Sequence, residues 1–252
     1  MRIVQAWLVC VLALMLCVDS RRAGAQSADE PDDDRPVVDA FLSNASPPPT
    51  SYRALRTLEA VTRGGRMRAT LKAWTSTSPE TGFQYSIVEE SGAAIIRNKV
   101  LRAALDAEHT ISRQSPDDRG ALTAANYDFV FAGEEDGGLI RINIHPKRKE
   151  KMLVDGSVLV TAADADLVQV EGTLVKRPSF WTRHVDVVRQ YARLTGVRVP
   201  IAMKSTADVL IAGTSTFEMS YEYDMINGKA IDSAQFGDPT TPEPPHRVSI
   251  DY

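Results

Sequence analysis

From Arg66 onward, apolar side chains recur at every second position in one short run after another. That period belongs to a strand with one buried face, and it constrains this chain more than any other feature. In RMRATLKAWT, Met67, Ala69, Leu71 and Ala73 share a face, while Arg66, Arg68, Thr70, Lys72 and Trp74 share the other. After a turn over residues 76–82, FQYSIVEE sets Phe83, Tyr85 and Ile87 against Gln84 and Ser86, which predicts a hairpin. Later runs place Tyr127, Phe129 and Phe131 together, then Ile140, Ile142 and Ile144. MLVDGSVLVTA follows, with Gly156 marking a bulge, and then LVQVEGTLV. TRHVDVVRQYAR, VRVPIAMKST, DVLIAG and TFEMSYEYD complete ten predicted strands; Phe217, Met219, Tyr221 and Tyr223 share a face in the last. Short connections without strand–helix–strand alternation predict an antiparallel meander, hence an α+β, mainly antiparallel β fold.

Three segments carry helical spacing. Val37, Val38, Phe41 and Leu42 make a short helix with Pro36 in its first turn. YRALRTLEAVT, residues 52–62, spaces Leu55, Leu58 and Val61 as a second helix that Gly64-Gly65 terminates. AAIIRNKVLRAALDAEHTIS is the long one. Ile96, Val100, Ala103, Ala107 and Ile111 form a stripe that Ile95, Leu101, Ala104 and Leu105 widen, as in a helix laid on a sheet.

The N-terminus reads as an address. Thirteen apolar residues run from Ala6 to Val18 after Arg2, and Ala23-Gly24-Ala25 follows, the pattern of a cleavable export signal over residues 1–25. The run is short for a membrane span, which needs roughly 20 residues. Leu16 before Cys17 departs from the small residue that lipid attachment favours. Both cysteines, Cys10 and Cys17, lie in this segment, so the expected mature chain has no disulfide, thiolate metal site or cysteine nucleophile. Residues 26–36, QSADEPDDDRP, read as an acidic disordered leader, 37–231 as one domain, and 232–252 as a proline-rich tail.

The whole chain carries a net charge of −4, which becomes −6 once Arg2, Arg21, Arg22 and Asp19 leave with the signal. That balance argues against nucleic acid as a partner. The one basic cluster, Lys147-Arg148-Lys149-Glu150-Lys151, reads as a solvated turn between strands. His109, His145, His184 and His246 show no metal-binding spacing, and no nucleophile elbow, P-loop or dinucleotide fingerprint occurs. The acidic groups Glu89-Glu90 and Glu134-Glu135-Asp136 fall at predicted strand ends and turns, as solvated positions. The chain is expected to be a non-enzyme without metal or cofactor.

The order of short helices, hairpin, long helix and meander resembles the bacterial periplasmic LolA/LolB-like superfamily, outer-membrane lipoprotein-sorting proteins. KRKEKMLVDGSVLVTAADADLVQVEG and KRPSFWTRHVDVVRQYARLTGVRVPIAM carry the likeness, which covers roughly residues 50–228. It implies a strongly curved, incomplete β-barrel, or half-barrel, wrapped around helices, with an apolar cavity for lipid or lipoprotein acyl chains. It also implies a lid, for which the sequence offers no matching motif. Aromatic side chains supply large, rigid apolar area for such a cavity. The candidates are Phe83, Tyr85, Phe129, Phe131, Phe180 and Trp181, each of which would equally serve as plain core. The expected protein is a monomer in the periplasm. A module of the same fold that senses or docks an envelope protein partner is the main alternative. An outer-membrane barrel is a further one, since Val248, Ile250 and Tyr252 alternate at the C-terminus.

Overall fold

A computed structural model describes residues 35–44, 46–111, 120–150, 152–177, 182–210 and 213–232. The export signal, nearly all of the acidic leader and the tail beyond Asp232 lie outside these residues. The leader's last two positions, Arg35 and Pro36, already belong to the first helix, α1 (Arg35–Ser43).

The strands are β1 (Tyr52–Thr62), β2 (Met67–Ser78), β3 (Gly82–Gly92), β4 (Tyr127–Glu135), β5 (Leu139–Pro146), β6 (Val154–Thr161), β7 (Leu167–Leu174), β8 (Thr182–Leu194), β9 (Val197–Val209), β10 (Gly213–Ile226) and β11 (Lys229–Ala230). They form one sheet in the order β3-β2-β1-β10-β9-β8-β7-β6-β5-β4, with β11 beside β10. Every pairing is antiparallel. Two meanders, β1–β3 and β4–β10, thus join through the β1–β10 ladder. Among the described residues β3 and β4 do not pair, so the sheet is open.

The sheet also curls. Tyr127 on β4, Val154 on β6, Val170 on β7 and Arg189 and Tyr191 on β8 line one recess of about 20 Å³. In a flat sheet β4 and β8 would stand four strand spacings, about 19 Å, apart. The concave face is the buried one: Leu71, Ile142, Ile144, Val158, Val199 and Phe217 are all fully buried on it. The convex face carries pairs such as Lys204–Glu218, at 2.9 Å, and Arg53–Asp224, at 3.3 Å. A lipid-facing barrel wall would be apolar there and its sheet closed, so the outer-membrane alternative does not fit the described residues.

Two helical elements cover the concave face. α1 packs Phe41 against β4, with ring centres of Phe41 and Phe129 5.8 Å apart. At its C-terminal end, Asn44 donates from Nδ2 to the carbonyl of Asp164 at 2.9 Å. Arg193 there forks onto Asp166 at 2.9 and 2.6 Å, and buried Arg198 reaches the same carboxylate at 3.3 Å. Burial lowers the Arg198 pKa, and the Asp166 charge opposes that effect.

The long helix runs as α2 (Ala94–Ile96), a π-helical turn (Arg97–Leu101) and α3 (Arg102–Ile111). It lies over β1, β2 and β3. Ile96, Val100, Leu101, Ala104 and Leu105 are buried, so the predicted stripe holds in outline, but Ile95 is exposed at its start and Ala103 and Ala107 are half-exposed.

Three expectations from sequence fail, each for a local reason. Residues 52–62 form strand β1 instead of a helix. Its buried positions are Ala54, Arg56, Leu58 and Ala60. An arginine and two alanines hide the period of two, while half-buried Leu55 and Val61 on the other face imitate helical spacing. Gly64-Gly65 is the β1–β2 hairpin turn, both residues at positive φ, 63° and 89°. VRVPIAMKST and the start of DVLIAG form the single strand β9. Pro200 sits where a register shift interrupts the β8 ladder and beyond the last β10 pair, Ser220 with Ala202, so its missing N–H costs no ladder bond there. The β6 irregularity lies at Leu159/Val160, and Gly156 pairs in register with Gly172.

Candidate functional site

The concave face divides into two apolar clusters. The larger joins the long helix to β1–β3 and β8–β10, and the smaller joins α1 to β4–β7. A charged group stands inside the larger one. Arg56, which points inward from β1, is 2% exposed. Its Nη1 donates to Glu108 Oε2 at 2.6 Å, and its Nη2 donates to Glu108 Oε1 at 3.0 Å and to Tyr52 Oη at 2.5 Å. Nε is buried without a partner. Aromatic rings enclose the guanidinium: its carbon lies 4.6 Å from the Tyr221 ring centre, 5.0 Å from Phe83 and 5.8 Å from Tyr52. Such contacts stabilise a desolvated cation through the ring quadrupole.

Burial alone would lower the Arg56 pKa, but Glu108 and the neighbouring tyrosines hold it well above its ordinary value, so the group is a permanent cation. The phenols respond to the same surroundings. Tyr52 is pushed up to about 12, first by burial, with Arg56 pulling the other way. Burial also raises Tyr221 and Tyr223. These two rings stack at 5.9 Å with 6° between their planes, and Tyr52 meets Tyr223 edge-on at 5.8 Å. Tyr223 donates to the carbonyl of Pro200 at 2.9 Å.

Glu108 belongs to α3 and Arg56 to the sheet, so this pair ties helix to sheet through an otherwise apolar interface. Shallower ties run beside it. Tyr85 donates to Asp106 at 2.5 Å, His109 donates from Nδ1 to the carbonyl of Phe83 at 2.6 Å, and Arg97 and Arg102 each reach Glu90 at 2.6 Å. Burial and the Asp106 carboxylate raise the Tyr85 pKa to about 12.

The predicted aromatic residues separate. Phe83 is buried under the helix, and half-buried Tyr85 adjoins it with ring centres 6.4 Å apart. Phe129 and Phe131, both half-buried on β4, belong to the smaller cluster at the other edge of the sheet. Phe180 and Trp181 lie outside the described residues. Arg56 and Glu108 escaped the sequence reading. The available signal was Arg56 itself, a cation on the face that Ala54, Leu58 and Ala60 bury.

No protein-family model matches the chain, and no curated protein does. Among solved structures similar to it are the following three. A DUF1329 family protein from Desulfovibrio piger is 12% identical with a TM-score of 0.37, over 75% of this chain and 90% of its own. A LolA superfamily protein from Nitrosomonas europaea is 7% identical with a TM-score of 0.37, over 81% and 97%. A domain from Vibrio parahaemolyticus classed as an outer membrane lipoprotein-sorting protein is 10% identical with a TM-score of 0.32, over 69% and 86%.

Proposed function

We propose that this chain is an exported binding protein of the periplasm, without enzymatic activity, whose concave face receives the acyl chains of lipids or lipoproteins. The observation that carries this reading is the buried Arg56–Glu108 pair between the long helix and the apolar inner face. A buried ion pair rarely holds two elements together better than apolar packing would. It suits a contact that must be specific and also break. The recess between Tyr127, Val170 and Tyr191, at about 20 Å³, has room for little more than a water molecule, whereas ligand pockets span roughly 300–1,000 Å³. In this reading an acyl chain enters by lifting the helix off β1–β3, which exposes Leu58, Leu71 and Phe83. Each methylene that exchanges water for such a surface contributes about 0.8 kcal/mol.

Fluorescent fatty-acid titration, with native mass spectrometry of protein recovered from cells, tests the reading. Saturable uptake and co-purifying lipid are expected. A protein that stays lipid-free and takes up no acyl probe overturns it, and leaves a protein-docking module as the use of this fold.

A further inference from the structure

The strand registers place the charged loops at opposite ends of the sheet. At one end lie the hairpin tips β1–β2, β9–β10, β7–β8 and β5–β6, consecutive along the rim. Arg63 and Arg66 occupy the first tip, Lys176, Arg177 and nearby Arg183 the third, and Lys149 the fourth. All six are exposed, and none forms an ion pair among the described residues. Carboxylates at this end are largely engaged: Glu59 with Arg68 at 3.1 Å, Asp128 with Lys147 at 3.1 Å and Glu150 with Arg148 at 3.8 Å. Asp208, one residue back from its tip, accepts from Thr214 at 3.1 Å. Leu210 in the second tip is 43% exposed. Ile95 is 52% exposed at the start of the helix, where the Ala93 N–H bonds the carbonyl of Arg68.

The other end is reversed in sign. Its turns expose Glu80, Glu134, Asp136 and Asp164, against Lys229, while Arg193 and Arg198 are tied to Asp166. The net charge of −4 does not show this polarity, because it sums both ends with the rest of the chain.

We propose that the basic rim seats the protein on an anionic lipid bilayer, its cations against the headgroups and Leu210 and Ile95 at the boundary. Paired charges and a solvated rim would explain scattered cations. They do not explain unpaired cations on three of four successive tips, an apolar residue on the remaining one and an acidic opposite end that orients the molecule. Attraction of this kind grows with each cation near the surface and fades within a Debye length, about 10 Å at 0.1 M salt. The proposal does not depend on what the concave face binds.

Vesicle co-sedimentation of the full chain tests it, with phosphatidylcholine alone against phosphatidylcholine plus phosphatidylglycerol. Every arm keeps the apolar stretch at residues 6–18, so its contribution is common to all. The anionic vesicles should retain the protein more than about tenfold better, and about 0.5 M salt should abolish the difference. The variant R63E/R66E/K176E/R177E should lose the preference, and E134K/D136K should keep it, both with unchanged circular dichroism. Equal binding to neutral and anionic vesicles overturns the proposal. So does a preference that survives the basic-rim reversal, or one that a soluble anionic protein removes in favour of itself.

Discussion

At the residue scale, Arg56 is the unusual choice. A fully buried guanidinium is tolerable only while Glu108 neutralises it and the aromatic rings surround it. Glu108→Leu is therefore expected to cost about 3 kcal/mol in urea unfolding, because it strands a buried charge. The double variant R56M/E108L should recover that loss, and it should take up acyl probes faster than the parent because the latch is gone. A double variant as unstable as Glu108→Leu alone would refute the latch. The phenols set an alkaline limit. Their folded pKa values lie above the ordinary 10, so the folded state holds protons that the unfolded chain releases. Stability is therefore fully present below pH 10 and declines as pH rises from about 10 towards 12. In a 295 nm titration, tyrosinate absorbance should lag behind free tyrosine and rise together with loss of the fold. A full rise by pH 10.5, with the fold intact, would contradict the burial of Tyr52, Tyr221 and Tyr223.

At the element scale, β1 separates the two readings of residues 52–62 by mutation. A strand buries Leu58 and leaves Leu55 half-exposed on the convex face. Leu58→Ala should cost about 2–5 kcal/mol and Leu55→Ala about 1 kcal/mol or less, whereas a helix stripe through Leu55, Leu58 and Val61 would make the two losses alike. β6 and β7 approach closely at Gly156 and Gly172. A Cβ on Gly156 would stand 2.1 Å from the Glu171 carbonyl oxygen and 2.5 Å from the Gly172 Cα. Gly172 adds a φ of +152° and a 2.3 Å approach to the Asp155 carbonyl oxygen. Alanine at either position should destabilise by roughly 1–3 kcal/mol in thermal melts, since backbone must move. Most of this level was legible in the sequence. The alternations at residues 67–73, 83–87, 140–144 and 217–223 mark the strands, and the 94–111 stripe marks the helix, because local burial needs a local period. β1 was illegible because its inward residues are small or charged, and β9 because Pro200 reads as a stop.

At the scale of the whole molecule, an open, curled sheet holds its long helix against one margin, over β1–β3, while β8–β10 lie mid-sheet with ladders on both sides. Hydrogen exchange should therefore be faster across residues 94–111 than in β8–β10. Equal protection of the two would argue that the helix does not lift. The local sequence pattern dictates most of the elements, β1 and the joined β9 excepted: alternating runs can bury a face only as strands, and strands with short connections pair antiparallel. The tertiary structure alone decided three things. It brought β1 beside β10, 153 residues apart at Thr62 and Ser215, whose hydroxyls meet at 2.7 Å. It set Glu108 against Arg56, and it gathered distant turns into a basic and an acidic rim. None of these has a local signature, because a pairing between remote segments depends on register and curvature, and on which strand ends fall side by side.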